Sequence, residues 1–376
     1  MARKVLVVRG GALPKSTGLG RAHVNLVERF VEGRIRNYEL LDSVEHKLGG
    51  NSLLKLIKRW FKHPRTVSKS IKSKSPDLLL ITDQEQAHLI PRKCKIPSAV
   101  IVHDLFQLFP RTILSRGTEI EIGERDVNSI RKRDIAYLKK GLDRADLIIC
   151  ISEATKKEVL QHWPEKLCHV VPHGIETSIL NPNQAVREKP SWLQKEKCNL
   201  IYVGTDDPRK RLDFALHVIG ELSDEIKKDI ILHKIGIENN SSTLEKLAKI
   251  ASDSKVTINW VGRLEDEELF ATYQFGDALI FPSVAEGFGL PPLEAMACGC
   301  PLLMADAPAH NEVSAEKFLI PSEDIGAWKL GIENIHSEWF SRKGSSRIAN
   351  QDALLSAESF SVEKWCAGLE EALSKI

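Results

Sequence analysis

Short apolar runs of strand length recur along this chain, and between them lie stretches with helical spacing. The runs fall at 4–8, 77–82, 98–103, 147–151 and 169–172, then at 199–203, 230–235, 257–261, 278–281 and 301–304. Helical patterns lie at 20–31, 152–161, 210–222, 242–251, 266–275 and 292–298. Such alternation predicts an α/β fold with parallel sheets, in two doubly wound, Rossmann-like units. A length of 376 residues agrees with two domains of ordinary size. Residues 178–197 carry prolines, mixed charge and no periodicity, and are the expected linker. The domains are therefore expected over 1–177 and 198–357, with a cleft between them.

Composition removes other classes. With 42% hydrophobic and 28% charged residues, the chain is neither disordered nor collagen-like. No apolar run approaches the ~18 residues of a membrane span. The apolar stretch after Met1-Ala2-Arg3-Lys4 is too short for a secretory signal, so a cytoplasmic protein is expected. Seven cysteines lie scattered without a C-x-x-C pair, which suggests reduced, packed thiols and no zinc site. The net charge of +2 hides an imbalance. Residues 1–175 hold 32 Lys+Arg against 19 Asp+Glu, and the remainder holds 21 against 32. The first half is thus expected to meet something anionic; a nucleic-acid partner is not expected.

Four motifs follow the carboxyl ends of predicted strands, where open parallel sheets bind ligands. Gly10 to Arg21 is a glycine loop that enters a helix, either a phosphate cradle or an ordinary glycine-rich turn. It is neither the G-x-G-x-x-G fingerprint nor a Walker loop. His103-Asp104 ends a later strand. After Gly204, the cations Arg209, Lys210 and Arg211 stand where a helix begins, against its dipole, which suits a bound diphosphate better than a solvated basic turn. Finally, 281–299 contains Glu286, two glycines, two prolines and Glu294. Those carboxylates suit ligand positioning at a helix start, with general acid and base as the other reading.

These residues resemble the signature of retaining GT-B glycosyltransferases of the glycosyltransferase 4 type, and of mannosyltransferases among them. The resemblance rests on "FPSVAEGFGLPPLEAMACGCP", "VGTDDPRKRLD", "VVPHGIE", "STGLGR", "ISEATKKEV" and "VHDL", in that family's order through nearly the whole chain. It implies two Rossmann-like domains facing across a deep cleft, with a helix over 358–376 crossing back to the first. It implies transfer of a hexose from a nucleotide-sugar, GDP-mannose ahead of UDP-sugars, to a glycan or lipid-linked acceptor. Arg209 and Lys210 would hold the diphosphate, beside Gly204, and Glu294 the ribose. Glu286, with the backbone of Gly287, Phe288, Gly289 and Leu290, would fix the sugar and distal phosphate. His103 would meet that sugar from the first domain, making His103 and Glu286 the catalytic pair, while Gly18 and Gly20 would close over the phosphate. Thr205 departs from the pattern, because many relatives carry arginine there. Such enzymes retain anomeric configuration, with the leaving phosphate taking the acceptor's proton. No Asp-x-Asp motif occurs in the chain, so no metal and no cofactor is expected.

Three alternatives stay open: a GT-B epimerase acting without an acceptor, a nicotinamide dehydrogenase, and a sugar-binding module. The dehydrogenase lacks its fingerprint. One feature lies outside the resemblance. Asn51-Ser52 can cap a helix in which Leu53, Leu56, Ile57, Trp60 and Phe61 share a stripe. Lys55, Lys58, Arg59 and Lys62 take the other faces, and Pro64 is expected to stop it. The region from Asn51 to Lys74 is either a peripheral anchor on an anionic membrane surface or a helix packed on the first sheet.

Overall fold

The computed structural model describes residues 2–376 apart from 16, 48, 50, 51, 116, 184–186, 238–240 and 343, and omits the Leu53 side chain. Asn51, proposed above as a cap, lies outside the described residues. The chain forms two compact units. One comprises Met1–Arg111, Gly123–Gly174 and Val362–Ile376; the other comprises Thr112–Ile122 and Ile175–Ser361.

In the first unit the strands are β1 (Arg3–Gly11), β2 (Tyr38–His46), β3 (Leu78–Ile81) and β4 (Ser98–Val102). A hairpin follows, β5 (Arg111–Ser115) and β6 (Thr118–Ile122), and then β7 (Leu147–Cys150) and β8 (Cys168–Val170). Six of these make one parallel sheet in the order β2-β1-β3-β4-β7-β8. The central strands are buried on both faces, with Val5 to Val8 and Leu78 to Ile81 fully covered. That burial is why they read as unbroken apolar runs.

The second unit repeats the plan with β9 (Cys198–Val203), β10 (Ile230–Ile235), β11 (Ile258–Gly262), β12 (Ala278–Phe281), β13 (Leu302–Ala305) and β14 (Leu319–Ile320). Its parallel order is β11-β10-β9-β12-β13-β14. Phe214 and Trp328 meet edge to face at 5.7 Å in its core. The stretch expected to be a linker packs on this unit. Arg187 pairs with Glu267 at 2.8 Å and covers the Phe270 ring, and Leu193 is buried. The β5–β6 hairpin also counts with this unit, while the final helix, Val362–Leu373, counts with the first.

The basic segment differs from its reading. Its helix does not stop at Pro64. Ser52–Ile57 leads through a π turn, Lys58–Lys62, into the helix His63–Lys74. Proline stands in the first turn of that last helix, where its missing N–H costs least. Nor is Arg59 a solvated cation. It grips both Asp134 oxygens at 2.8 and 2.9 Å, and the Trp60 indole N–H donates to Asp134 at 2.9 Å. An ion pair of this shape draws Arg59 and Trp60 inward together. Phe61, read as part of the same stripe, is 52% exposed, as is Leu54 at 46%. Among the described residues, no helix is long and apolar enough to cross a membrane.

Candidate functional site

In the second unit, β9 runs into Gly204 and then a 3-10 turn, Pro208–Lys210. Asp207 caps the turn by accepting the Arg209 N–H at 3.1 Å. Arg211 follows in a left-handed conformation, φ 56°, and the helix Leu212–Gly220 begins after it. The turn therefore separates cations adjacent in sequence. Arg209 and Lys210 face the loop after β12. Arg211 turns away, is 5% exposed, donates to Ser115 Oγ and lies over the Phe214 ring. Its place in a three-cation anion site is corrected here: Arg211 holds the β5–β6 hairpin to its own unit.

Glu286 is where the two remaining cations meet. Its Oε1 accepts from Lys210 Nζ at 2.5 Å and from Ser283 Oγ at 2.7 Å, and its Oε2 from Arg209 Nη1 at 3.0 Å. Arg209 also donates to the Ala285 carbonyl at 2.6 Å and, through Nε, to Asp207 at 3.1 Å. The loop is pinned to the turn, since the Val284 N–H donates to the Arg209 carbonyl at 2.9 Å. Burial alone would raise the Glu286 carboxyl, but Lys210 and Arg209 outweigh it and hold the group down at about 2. Burial likewise lowers the Lys210 ammonium, and Glu286 pushes it back up. The cluster is a largely covered, charged, hydrogen-bonded carboxylate between two cations.

The same loop continues to Gly289, whose φ of 120° favours glycine and which caps the helix Leu290–Ala297. Prolines occupy its first turn, so the amides of Gly287 to Leu290 form the helix entrance. Glu294 sits one turn in and is buried, and Phe288 packs edge to face on Phe360 at 5.8 Å. Gly204 stands beside the turn; a Cβ there would lie 3.5 Å from Lys210 Cδ. Sequence reasoning missed Ser283 and His310. Ser283 was marked only by following a strand end. His310 is fully buried, its Nδ1–H donates to the Ala305 carbonyl at 2.7 Å, and its Nε2 has no partner among the described residues. Burial lowers its pKa although Glu286 opposes this, and no periodicity marks it.

The first unit presents its residues separately. His103 follows β4, and its Nε2–H donates to the Thr82 carbonyl at 3.1 Å. Its backbone N–H donates to Gln84 at 2.9 Å, and its ring stacks on His173 at 5.4 Å. Burial holds the imidazole at about 4, so it is neutral at pH 7 and its free lone pair is on Nδ1. Thr17 caps the helix Gly18–Val31, accepting the Gly20 N–H at 3.1 Å. The two glycines differ. A Cβ on Gly20 would lie 2.0 Å from the Pro14 carbonyl oxygen, whereas one on Gly18 meets nothing within 4 Å. Gly20→Ala is therefore expected to deform the loop and lower the melting temperature. Gly18→Ala should melt like the parent, so activity lost in that variant reports a ligand approaching the backbone. Equal melting temperatures for both would contradict the steric difference.

Cys298 and Cys300 are buried, and burial pushes the Cys300 thiol up to about 11. Among the described residues, no group of three or more His, Cys, Asp or Glu is placed to hold a metal ion.

The family model "Glycosyl transferases group 1" matches residues 185–351, and "Glycosyltransferase Family 4" matches residues 19–179. The serotype-specific mannosyltransferase WbdA of Escherichia coli is 24% identical over 260 residues, 64% of this chain and 30% of WbdA. The MMP alpha-(1->4)-mannosyltransferase of Mycolicibacterium hassiacum is 29% identical over 171 residues, 44% of this chain and 38% of that one. The chain thus spans about a third of the length of these curated relatives. Sucrose-phosphate synthase of Thermosynechococcus elongatus is similar in fold, with a TM-score of 0.74 at 16% identity over 99% of this chain and 98% of that one. HepE of Anabaena in complex with UDP-glucose gives 0.69 at 15% identity, over 100% of both chains. With the two family models together spanning most of its length and two six-stranded parallel sheets in its fold, the chain belongs to the group 1, or family 4, glycosyltransferases and has the GT-B fold.

Proposed function

We propose that the chain is a retaining hexosyltransferase that moves a hexose from a nucleotide-sugar to a glycan or lipid-linked acceptor. GDP-mannose is the first candidate donor and a UDP-sugar the second. The observation that carries the reading is the meeting of Arg209 and Lys210 at Glu286, beside a glycine-started helix. The mannosyltransferase names among the relatives favour mannose, and the UDP-glucose bound by HepE keeps a uridine donor in view.

In this reading Arg209 and Lys210 hold the diphosphate and stabilise the charge that grows on it as the glycosidic bond breaks. Glu286 keeps Lys210 protonated in a buried place and orients both cations; with the Gly287–Leu290 amides it positions sugar and distal phosphate. Glu294 binds the ribose hydroxyls, and Gly204 leaves room beside Lys210. In the first unit, His103 is neutral and serves as a hydrogen-bonding group rather than an acid, and Gly18 and Gly20 line the phosphate approach. The charge stabilisation is supplied by side chains, so activity is expected to survive EDTA. Complete loss that manganese restores would contradict this.

A thermal-shift panel of GDP, UDP, ADP and their sugars tests the donor. A ligand at 100 times its dissociation constant stabilises by ~2.7 kcal/mol. GDP and GDP-mannose are expected to give the largest shifts; no shift with any nucleotide would end the reading.

The exposed Phe61, with Lys62, Arg65, Lys69 and Lys72 at helical spacing beside it, also favours attachment to an anionic membrane. Sedimentation with anionic but not neutral vesicles is expected, lost in high salt and in Phe61→Ser/Lys62→Glu. Equal indifference to both vesicle types would leave a soluble acceptor as the better account.

A further inference from the structure

The first unit contains a cavity of about 230 Å³. It opens where β1 ends at Gly11, β2 ends at His46, and β3 passes into Thr82 and Asp83. Its wall is basic, and the charges divide into two kinds. Arg9 and Arg59 are neutralised locally, Arg9 by Glu45 at 2.6 Å and Arg59 by Asp134 at 2.8 Å. Lys47, Lys55 and Lys58 also line the cavity, and none has an acidic partner among the described residues. Lys58 donates to the Gly49 carbonyl at 3.2 Å.

Among the described residues, the carboxyl on this wall is that of Asp83. It is 7% exposed and accepts the Glu85 N–H at 2.6 Å. Burial pushes it up to about 7, so near neutral pH it is only partly ionised. Even fully ionised, it is one carboxylate on a wall that carries three lysines. Like charges around one small concavity raise each other's energy, and an anion between them removes that cost. The volume is below the ~300 Å³ typical of sites for drug-sized molecules. It suits a compact charged group more than a run of sugar rings.

We propose that this cavity binds a phosphate or diphosphate group carried by the acceptor. The proposal rests on the glycosyltransferase reading, with the acceptor held by the first unit. Lys47, Lys55 and Lys58 supply ammonium groups to the oxygens, and the group enters beside Gly10 and Gly11. Two sources share that chemistry, a lipid diphosphate and a soluble sugar phosphate.

The test uses the full chain, with the donor site filled first. Titration with GDP and UDP measures nucleotide binding; then, at saturating nucleotide, calorimetry follows inorganic pyrophosphate, mannose 1-phosphate and geranyl diphosphate. At least one is expected to bind, and Lys55→Glu/Lys58→Glu is expected to weaken it at least 30-fold with the nucleotide constant unchanged. Lys55 is exposed, so Lys55→Ala serves if the double variant does not fold, with a loss of about tenfold. Tighter binding of geranyl diphosphate than of mannose 1-phosphate assigns a lipid-linked source, and the reverse order a soluble one. If nucleotide binds but none of the three anions does, or if the variants bind them like the parent, the cavity is not an anion site. Absence of nucleotide binding would instead overturn the functional reading itself.

Discussion

Lys210→Ala is expected to raise the dissociation constant for the nucleotide-sugar roughly 100-fold, about 2.7 kcal/mol, measured by calorimetry with GDP-mannose and UDP-glucose. Lys210 is a largely covered point charge that pairs with Glu286 at 2.5 Å. Removing it takes one cation from the proposed diphosphate site and leaves Glu286 to Arg209 and Ser283 alone. A hydrogen bond to a charged group contributes ~1.5–3 kcal/mol, and losing one member of a buried pair adds to the loss. Lys210→Arg should recover part of the affinity, because charge is kept while geometry changes. Parent-like affinity in Lys210→Ala would remove this residue from the site.

Glu286→Gln should separate stability from turnover. The folded carboxyl lies at about 2 against its ordinary value of 4.5. A depressed value means stabilisation that is complete above the ordinary carboxylate range and fades as pH falls toward 2. At pH 7 the variant is therefore expected to be less stable by about 3 kcal/mol, measured by urea unfolding. That deficit should shrink at pH 3 and below. Turnover should fall at least 100-fold with nucleotide affinity changed less than tenfold. A deficit independent of pH would contradict the ion cluster, and normal kinetics would take Glu286 out of the reaction.

Much of this was legible because both sheets bury their central strands on two faces, so apolar runs marked them directly. Two of the four edge strands, β2 and β14, were not legible. β2 carries Glu39, Asp42 and Glu45 on an edge strand, and these break the apolar pattern. The β5–β6 hairpin was unreadable because its partner, Arg211, is distant in sequence. Arg211 itself looked like a third phosphate cation, and only the left-handed turn after Lys210 shows that it points elsewhere. Pro64 and Arg59 misled for related reasons: the π turn accommodates one, and Asp134, on another helix, claims the other. In the site, glycine and proline spacing exposed the 281–299 loop. The binding of Glu286 by both cations needed the fold of the 3-10 turn.

The most direct test of the central claim is an NMR time course of the full chain with GDP-mannose, and in parallel UDP-glucose, and octyl α-mannoside as surrogate acceptor. The expected result is release of nucleoside diphosphate together with a new glycosidic anomeric proton of the donor's own α configuration, in the presence of EDTA. A β-configured product, or a free epimer of the sugar with no glycoside formed, would contradict a retaining transferase.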